Sequence, residues 1–387
     1  MNLLTFLVLF IFIILVIYTC IVFRIQISID LVSIISNILF NLKNKLNLDL
    51  NKTIRFLNSY NSQKLEYKDV GVISLRKNNI NIKILYGIEP DNNSYLLFYY
   101  YGGGFFMGSC DWHFKYFEQF VKKHKNITVV MMEYPLSDSY KYPFQLKYCY
   151  YLSKNIIDNI SGLCNHVDKK KVIIYGSSSG CYISLYVLKM LYRDGYEKPK
   201  LNIMIYPWLQ MITLNTSSFL RYSDNSQRFI FSSIICSYIG IETSNANIGK
   251  ALYILESNTL FLFVKFDMLK KIFNMNNIEL KYRKDYNLNF SYNIPDFKKI
   301  DFEILKKMLK LIQLSPLLDE DLNYIVDTYF VSYETDPFKD EGHFFRKRLM
   351  ELNKLAHFEY VENDIHGNYE NNDLLFPKLD LYLKNNL

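Results

Sequence analysis

Three times between residues 94 and 193 the chain repeats one rhythm, a short apolar run followed by a longer amphipathic stretch. The runs are "SYLLFYYY" (94–101), "ITVVMMEY" (127–134) and "KVIIYG" (171–176), and a fourth, "LNIMIYP" (201–207), follows. Each is too short for a buried helix and rich in β-branched and aromatic residues, so each reads as a strand. None alternates cleanly between apolar and polar, which is the pattern of a strand buried on both faces. The stretches at 111–124, 144–160 and 179–193 carry helical spacing. Further strands are expected at "TYFVSYE" (328–334) and "AHFEYVE" (356–362), with helices near 338–353 and 374–385. Strands alternating with helices predict an α/β fold, a mostly parallel sheet with helices on both faces. Residues 208–325 break the rhythm. They are helical or irregular and rich in Phe, Tyr, Leu and Ile, as an insertion forming a lid over an apolar pocket would be.

Half of the 387 residues are hydrophobic and 17% aromatic, enough for a large core and too apolar for long disordered tracts. The net charge of +7 is spread thinly, and its densest runs, "KKHK" (122–125) and "KKK" (169–171), read as solvated faces. That excludes a nucleic-acid partner. Six cysteines show neither a CxxC pair nor metal-ligand spacing, so no zinc site is expected.

From Leu3 to Phe23 the chain carries no charge and stops at Arg24. The run is long enough to cross a bilayer as a helix. It exceeds a signal-peptide core and no small-residue cleavage site follows, which favours an uncleaved membrane anchor over a signal peptide. The expected organisation is an anchor at 1–24, cap helices and first strands at 25–85, and a catalytic domain at 86–387 carrying the insertion at about 208–325. The Lys and Arg residues near the anchor follow it, which by itself places the body in the cytosol. Six N-x-S/T sequons (Asn51, Asn92, Asn126, Asn159, Asn215, Asn289) point instead toward a lumen and a glycoprotein.

The third strand runs into "GSSSG", Gly176 to Gly180, and then into a helix. G-x-S-x-G counts as a signal only in this context, where a sharp turn lifts the middle serine above the sheet edge. Ser178 is therefore a candidate nucleophile. The helix start behind it aims the Ser179 N–H at the same point, where a negatively charged oxygen would be stabilised. A serine nucleophile needs a base, and the base an orienting acid. On this fold they follow the serine as Asp or Glu, then His. His343 falls in a predicted helix and His357 at the start of a strand, whereas His366, in "VENDIHGNYE", lies in the loop past the last strand. Asp336 follows the strand "TYFVSYE" at the same sheet edge. Its rivals are Asp340, at a helix start, and Asp364, which crowds the histidine. Gly102 to Gly104, in a chain with only 14 glycines, follow the first of the four runs. Bare backbone there would offer N–H donors to an oxyanion without blocking the substrate.

These residues resemble the hormone-sensitive-lipase-like branch of α/β-hydrolases, and within it the arylacetamide deacetylase and neutral cholesterol ester hydrolase group. The resemblance covers the chain from about residue 85 and rests on "YYGGGFFMGS", "MMEYPLSDSYKYPFQ", "IIYGSSSG", "IYPWLQ", "LSPLLDEDL", "TDPFKDEGHFFRKRL" and "ENDIHG". It implies Ser178 as nucleophile, His366 as general base and acid, Asp336 as its orienting carboxylate, and the amides of Gly103, Gly104 and Ser179 as the oxyanion hole. It also implies esters or arylacetamides of lipophilic compounds as substrates, no cofactor or metal, and an endoplasmic-reticulum anchor with a luminal body. Two positions depart from the family pattern. Tyr101 stands where its loop begins with histidine, and Ser177 and Ser179 replace the Asp and Ala of its G-D-S-A-G. A ligand-binding protein on the same fold is the alternative those departures leave open.

Overall fold

The structure, a computed structural model, describes residues 70–77, 80–283, 295–368 and 375–387. The apolar run at 3–23, the part of the expected cap-helix segment before residue 70, and Asn51 and Asn289 lie outside them. Among the described residues no helix is long and apolar enough to cross a membrane.

Each apolar run becomes a strand of one eight-stranded sheet. Its members are β1 (Val70–Lys77), β2 (Ile80–Gly87), β3 (Ser94–Tyr100), β4 (Ile127–Met132), β5 (Val167–Ser177), β6 (Leu201–Ile205), β7 (Thr328–Thr335) and β8 (Leu355–Ile365). Their spatial order is β1-β2-β4-β3-β5-β6-β7-β8. β1 and β2 pair antiparallel with each other, and β2 antiparallel with β4; every pairing from β4 to β8 is parallel. All residues of β4 and β6 are buried, so the sheet is covered on both faces and continuous apolar runs are what those strands require. β8, at the edge, is only partly buried and shows the mixed pattern of a strand with one wet side.

Two ends differ from the sequence expectation. β5 begins at Val167, so "KKK" lies within the strand; its solvent-facing lysines hid the first turns of the ladder, where Val167 pairs with Ser94. The helix expected at 111–124 begins with a 3-10 turn, Cys110–His113, capped by the Ser109 side chain. The α-helix α1 (Phe114–Lys123) then turns Phe114, Phe117, Phe120 and Val121 inward. Helices α2 (Phe144–Leu163) and α3 (Ser179–Arg193) pack on each other and on β5.

Between β6 and β7 the chain forms a series of short helices, including α4 (Ser217–Tyr222), α5 (Asn225–Ile239) and α6 (Asn245–Glu256). α5 is delimited by its own sequence. Asp224 and Gln227 form a reciprocal capping box at its start, and Gly240, at φ +80°, ends it. After β7 come α7 (Lys339–Glu351), packed on β7 and β8, and, past β8, α8 (Leu375–Asn386). The parallel strands β3, β5, β7 and β8 all end at one edge, and there the candidate residues collect.

Candidate active site

Ser178 follows the last residue of β5 and caps α3 with φ 52° and ψ −122°, a conformation rarely tolerated by a residue with a side chain. Three hydrogen bonds hold it: its N–H donates to Ile205 O (3.0 Å), and its carbonyl accepts from Cys181 N (3.0 Å) and Trp208 N (3.3 Å). The flanking glycines are required by space. A Cβ on Gly180 would stand 2.0 Å from Tyr100 O, and one on Gly176 would stand 2.6 Å from Gly180 and Cys181 backbone atoms. So the turn packs directly against the end of β3.

β7 and β8 bring the other two residues together through their register. Thr335 pairs with Ile365, so Asp336 and His366 leave the sheet side by side. His366 Nε2 lies 2.9 Å from Ser178 Oγ, and His366 Nδ1 lies 2.9 Å from Asp336 Oδ2. Asp336 is buried, and its Oδ1 accepts the Phe338 N–H at 2.7 Å. The carboxylate is thus fixed on both oxygens.

The rival residues are occupied elsewhere. Asp340 accepts from Ser218 N (2.7 Å) while its own N–H donates to Ser218 Oγ (3.1 Å), which pins the start of α4. Asp364 accepts from Ile365 N and Asn368 Nδ2, bracing the loop that carries His366. His343 is buried within α7, and His357 lies in β8.

The glycine loop reaches the same edge. A Cβ on Gly102 would meet Ser178 Cβ at 2.9 Å, so only glycine allows the loop this close to the serine. Gly103 and Gly104 have φ +110° and +65°, and Phe105 continues at +63°. Of the three amides expected to face an oxyanion, that of Gly104 donates to Ser179 Oγ at 2.9 Å. No local pattern signals this side-chain contact, because it depends on how two segments 75 residues apart dock.

Tyr101 is fully buried under the loop and stacked on Tyr134, ring centroids 4.2 Å apart. Its hydroxyl donates at 3.4 Å to Glu133 Oε2 and Tyr134 O, and the Tyr134 hydroxyl donates back to Tyr101 O at 3.0 Å. Burial, with the Glu133 carboxylate adding to it, pushes the Tyr101 phenol well above its ordinary pKa, so it stays protonated. Tyr101 therefore braces the loop mainly by stacking. Ser177 Oγ lies 3.2 Å from Tyr99 OH, a neutral contact.

Aromatic residues that the sequence reading did not single out surround His366. Tyr206 and Phe338 meet its ring edge-on at 4.9 and 5.0 Å. Trp208 stacks on Phe338 at 5.2 Å, and Phe231 of α5 stands edge-on to Phe338 at 5.1 Å. "IYPWLQ" and "TDPFKD" were the available signals, since they place Tyr206 one residue and Phe338 three residues past a strand end. Phe105 stacks on Tyr238 of α5 at 4.3 Å, joining the insertion to the glycine loop. Among the described residues no group of three or more His, Cys, Asp or Glu could hold a metal ion.

The α/β hydrolase fold family matches residues 97–240. Bacterial heroin esterase superposes with a TM-score of 0.56 over 87% of this chain and 89% of its own, at 16% identity. An arylesterase structure superposes with a TM-score of 0.54 over 90% and 95%, at 19% identity. Fold and matched segment together define an α/β-hydrolase-fold protein. Within that class the chain is similar to the arylacetamide deacetylases. It is 24% identical to that of Oryctolagus cuniculus over 62% of this chain, and 25% identical to that of Rattus norvegicus over 62%. Arylacetamide deacetylase-like 2 of Homo sapiens is 25% identical over 66%. The matched part spans about three fifths of the length of these relatives, 60%, 59% and 62%.

Proposed function

We propose that this chain is a serine hydrolase that cleaves carboxylic esters, arylacetamides included, of lipophilic compounds through an acyl-enzyme. The observation that carries the reading is the pair of contacts through the His366 ring, Nε2 to Ser178 Oγ and Nδ1 to Asp336 Oδ2, both 2.9 Å. Ser178 Oγ attacks the ester carbonyl while His366 Nε2 takes its proton, and Asp336 stabilises the imidazolium that results. The carbonyl oxygen becomes an oxyanion beside the amides of Gly103, Gly104 and Ser179. His366 returns the proton to the leaving alcohol as the C–O bond breaks. Water then gives a proton to His366 and attacks the acyl group; collapse frees the acid and restores the Ser178 hydroxyl.

Lipophilic substrates are favoured by the aromatic surroundings of His366, with Trp208, Phe231 and Phe338 contributing faces and edges but few polar partners. The helical segment at about 208–325 serves as the lid over them. The reading extends to an anchor at residues 3–23 and a luminal body on the endoplasmic reticulum, supported by the uncharged run and the family resemblance.

A fluorophosphonate probe tests the chemistry. It should label the wild type and leave Ser178→Ala unlabelled; a folded wild type that takes no label would sink the reading. Labelling after protease treatment of sealed microsomes tests the placement, and loss of the labelled body to external protease would overturn the luminal side.

A further inference from the structure

The loop after β3 commits its amides unevenly. Phe106 and Met107 both donate to Gly103 O, at 3.1 and 3.0 Å. The N–H groups of Gly103 and Ser179 have no acceptor among the described residues. The Gly104 N–H, between them in purpose, is already engaged by Ser179 Oγ at 2.9 Å.

The hydroxyl that engages it is buried: Ser179 is 0% exposed, so water does not compete for the contact. An alanine at position 179 would have no such hold on the loop.

We propose that the Ser179 hydroxyl is a latch on the Gly104 amide. Resting on the esterase reading above, it withholds one of the three oxyanion donors. Ser179 is thereby a positioning residue as well as the owner of a donor N–H. A substrate enters a site with two open amides, those of Gly103 and Ser179. As charge develops on the carbonyl oxygen, it competes with a neutral hydroxyl for the third. An ionised acceptor wins such a contest, but the latch bond must be broken or shared first, and that raises the barrier. No bond to carbon changes and no proton leaves the protein in this step; one N–H exchanges acceptors.

Removing the hydroxyl should therefore speed the enzyme. The bond to be broken is an ordinary neutral one, so kcat of Ser179→Ala should rise about two- to tenfold. That is well short of the roughly 100- to 1,000-fold that a whole oxyanion donor is worth. KM for a p-nitrophenyl ester should stay within about twofold, because the ground-state carbonyl draws little on the hole. Affinity for a trifluoromethyl ketone, which forms a tetrahedral adduct on serine, should rise by the same factor as kcat. A merely structural hydroxyl would lower melting temperature and kcat together without tightening the ketone.

Ser179→Cys serves as the second variant. Its thiol fills similar space but accepts poorly, so it should move kcat and ketone affinity the same way. Unchanged or lower kcat and ketone affinity in Ser179→Ala, or in Ser179→Cys should the alanine variant not fold, overturns the latch. Both outcomes are read on a wild type that takes fluorophosphonate label; absence of that label would instead sink the esterase reading.

Discussion

Asp336→Asn changes one atom of the side chain and separates two jobs that the carboxylate performs. Oδ1 accepts the Phe338 N–H at 2.7 Å, and Oδ2 receives His366 Nδ1 at 2.9 Å. An asparagine can keep the first contact with its carbonyl, but it then turns an N–H toward Nδ1. The imidazole must carry its proton on Nε2, facing Ser178, where it cannot accept the serine's proton. Restoring the productive tautomer sets donor against donor and forfeits a charge-assisted hydrogen bond worth about 1.5–3 kcal/mol. In the proposed mechanism the imidazolium formed during attack also loses an opposite charge some 4 Å away, worth about 4 kcal/mol at an effective dielectric constant near 20. Together these reach about 5–7 kcal/mol, or roughly a 10⁴- to 10⁵-fold fall in kcat. Stability should hold within about 1 kcal/mol, because the buried Phe338 N–H keeps its acceptor. Asp336→Ala strands that N–H and should cost about 1–3 kcal/mol of stability as well. The assay is steady-state hydrolysis of a p-nitrophenyl ester with active-site titration, alongside urea unfolding. A kcat for Asp336→Asn within tenfold of wild type refutes the orienting role, and a large loss in Asp364→Asn instead would transfer it to Asp364.

Two further substitutions probe the supports of the site. Gly180→Ala places a Cβ 2.0 Å from Tyr100 O, a backbone atom of the central sheet that cannot move aside. It should destabilise the protein by about 3 kcal/mol or more, and an unshifted urea midpoint would disprove the close approach of α3 to β3. His343 is buried, hydrogen-bonded through neither ring nitrogen, and packed on Tyr282 at 5.0 Å. Burial holds its pKa well below the ordinary histidine value, and the charges of Arg346 and Lys339 add to the depression. Below about pH 6.5 the unfolded chain therefore binds a proton that the folded one refuses. Stability should fall with pH from 6.5 downward by about 1.4 kcal/mol per unit until the folded group also titrates. His343→Phe should lose less stability between pH 7 and pH 5 than wild type; an equal loss in both would remove His343 as the cause.

The strands were legible because burial on both faces demands continuous apolar runs, which local sequence displays directly. Where a strand carried solvent-facing charge, as at Lys169 to Lys171 in β5, the pattern failed and the strand began four residues earlier than the sequence suggested. Asp336 stood out from Asp340 and Asp364 through its place after a strand, and the contacts of those two with Ser218 and Asn368 account for their presence. The aromatic neighbours of His366 were signalled only by their nearness to strand ends, and the bond from Gly104 to Ser179 not at all. Both depend on side-chain direction at the meeting of distant segments.

What the sequence determined by itself was the grammar of one sheet edge. A strand, a glycine-flanked serine and a helix force a turn that lifts Ser178, since no other residue type than glycine fits beside it. Asp and His at the ends of two later strands are delivered to the same edge by parallel pairing. The tertiary structure alone decided distances. The register of β7 against β8 sets Asp336 beside His366, and the docking of the loop after β3 sets Gly102 against Ser178 and the Gly104 amide against the Ser179 hydroxyl. Local pattern can specify which residues leave the sheet at one end, but a contact such as that of Ser178 with His366, 188 residues apart, arises only when the whole core closes around it.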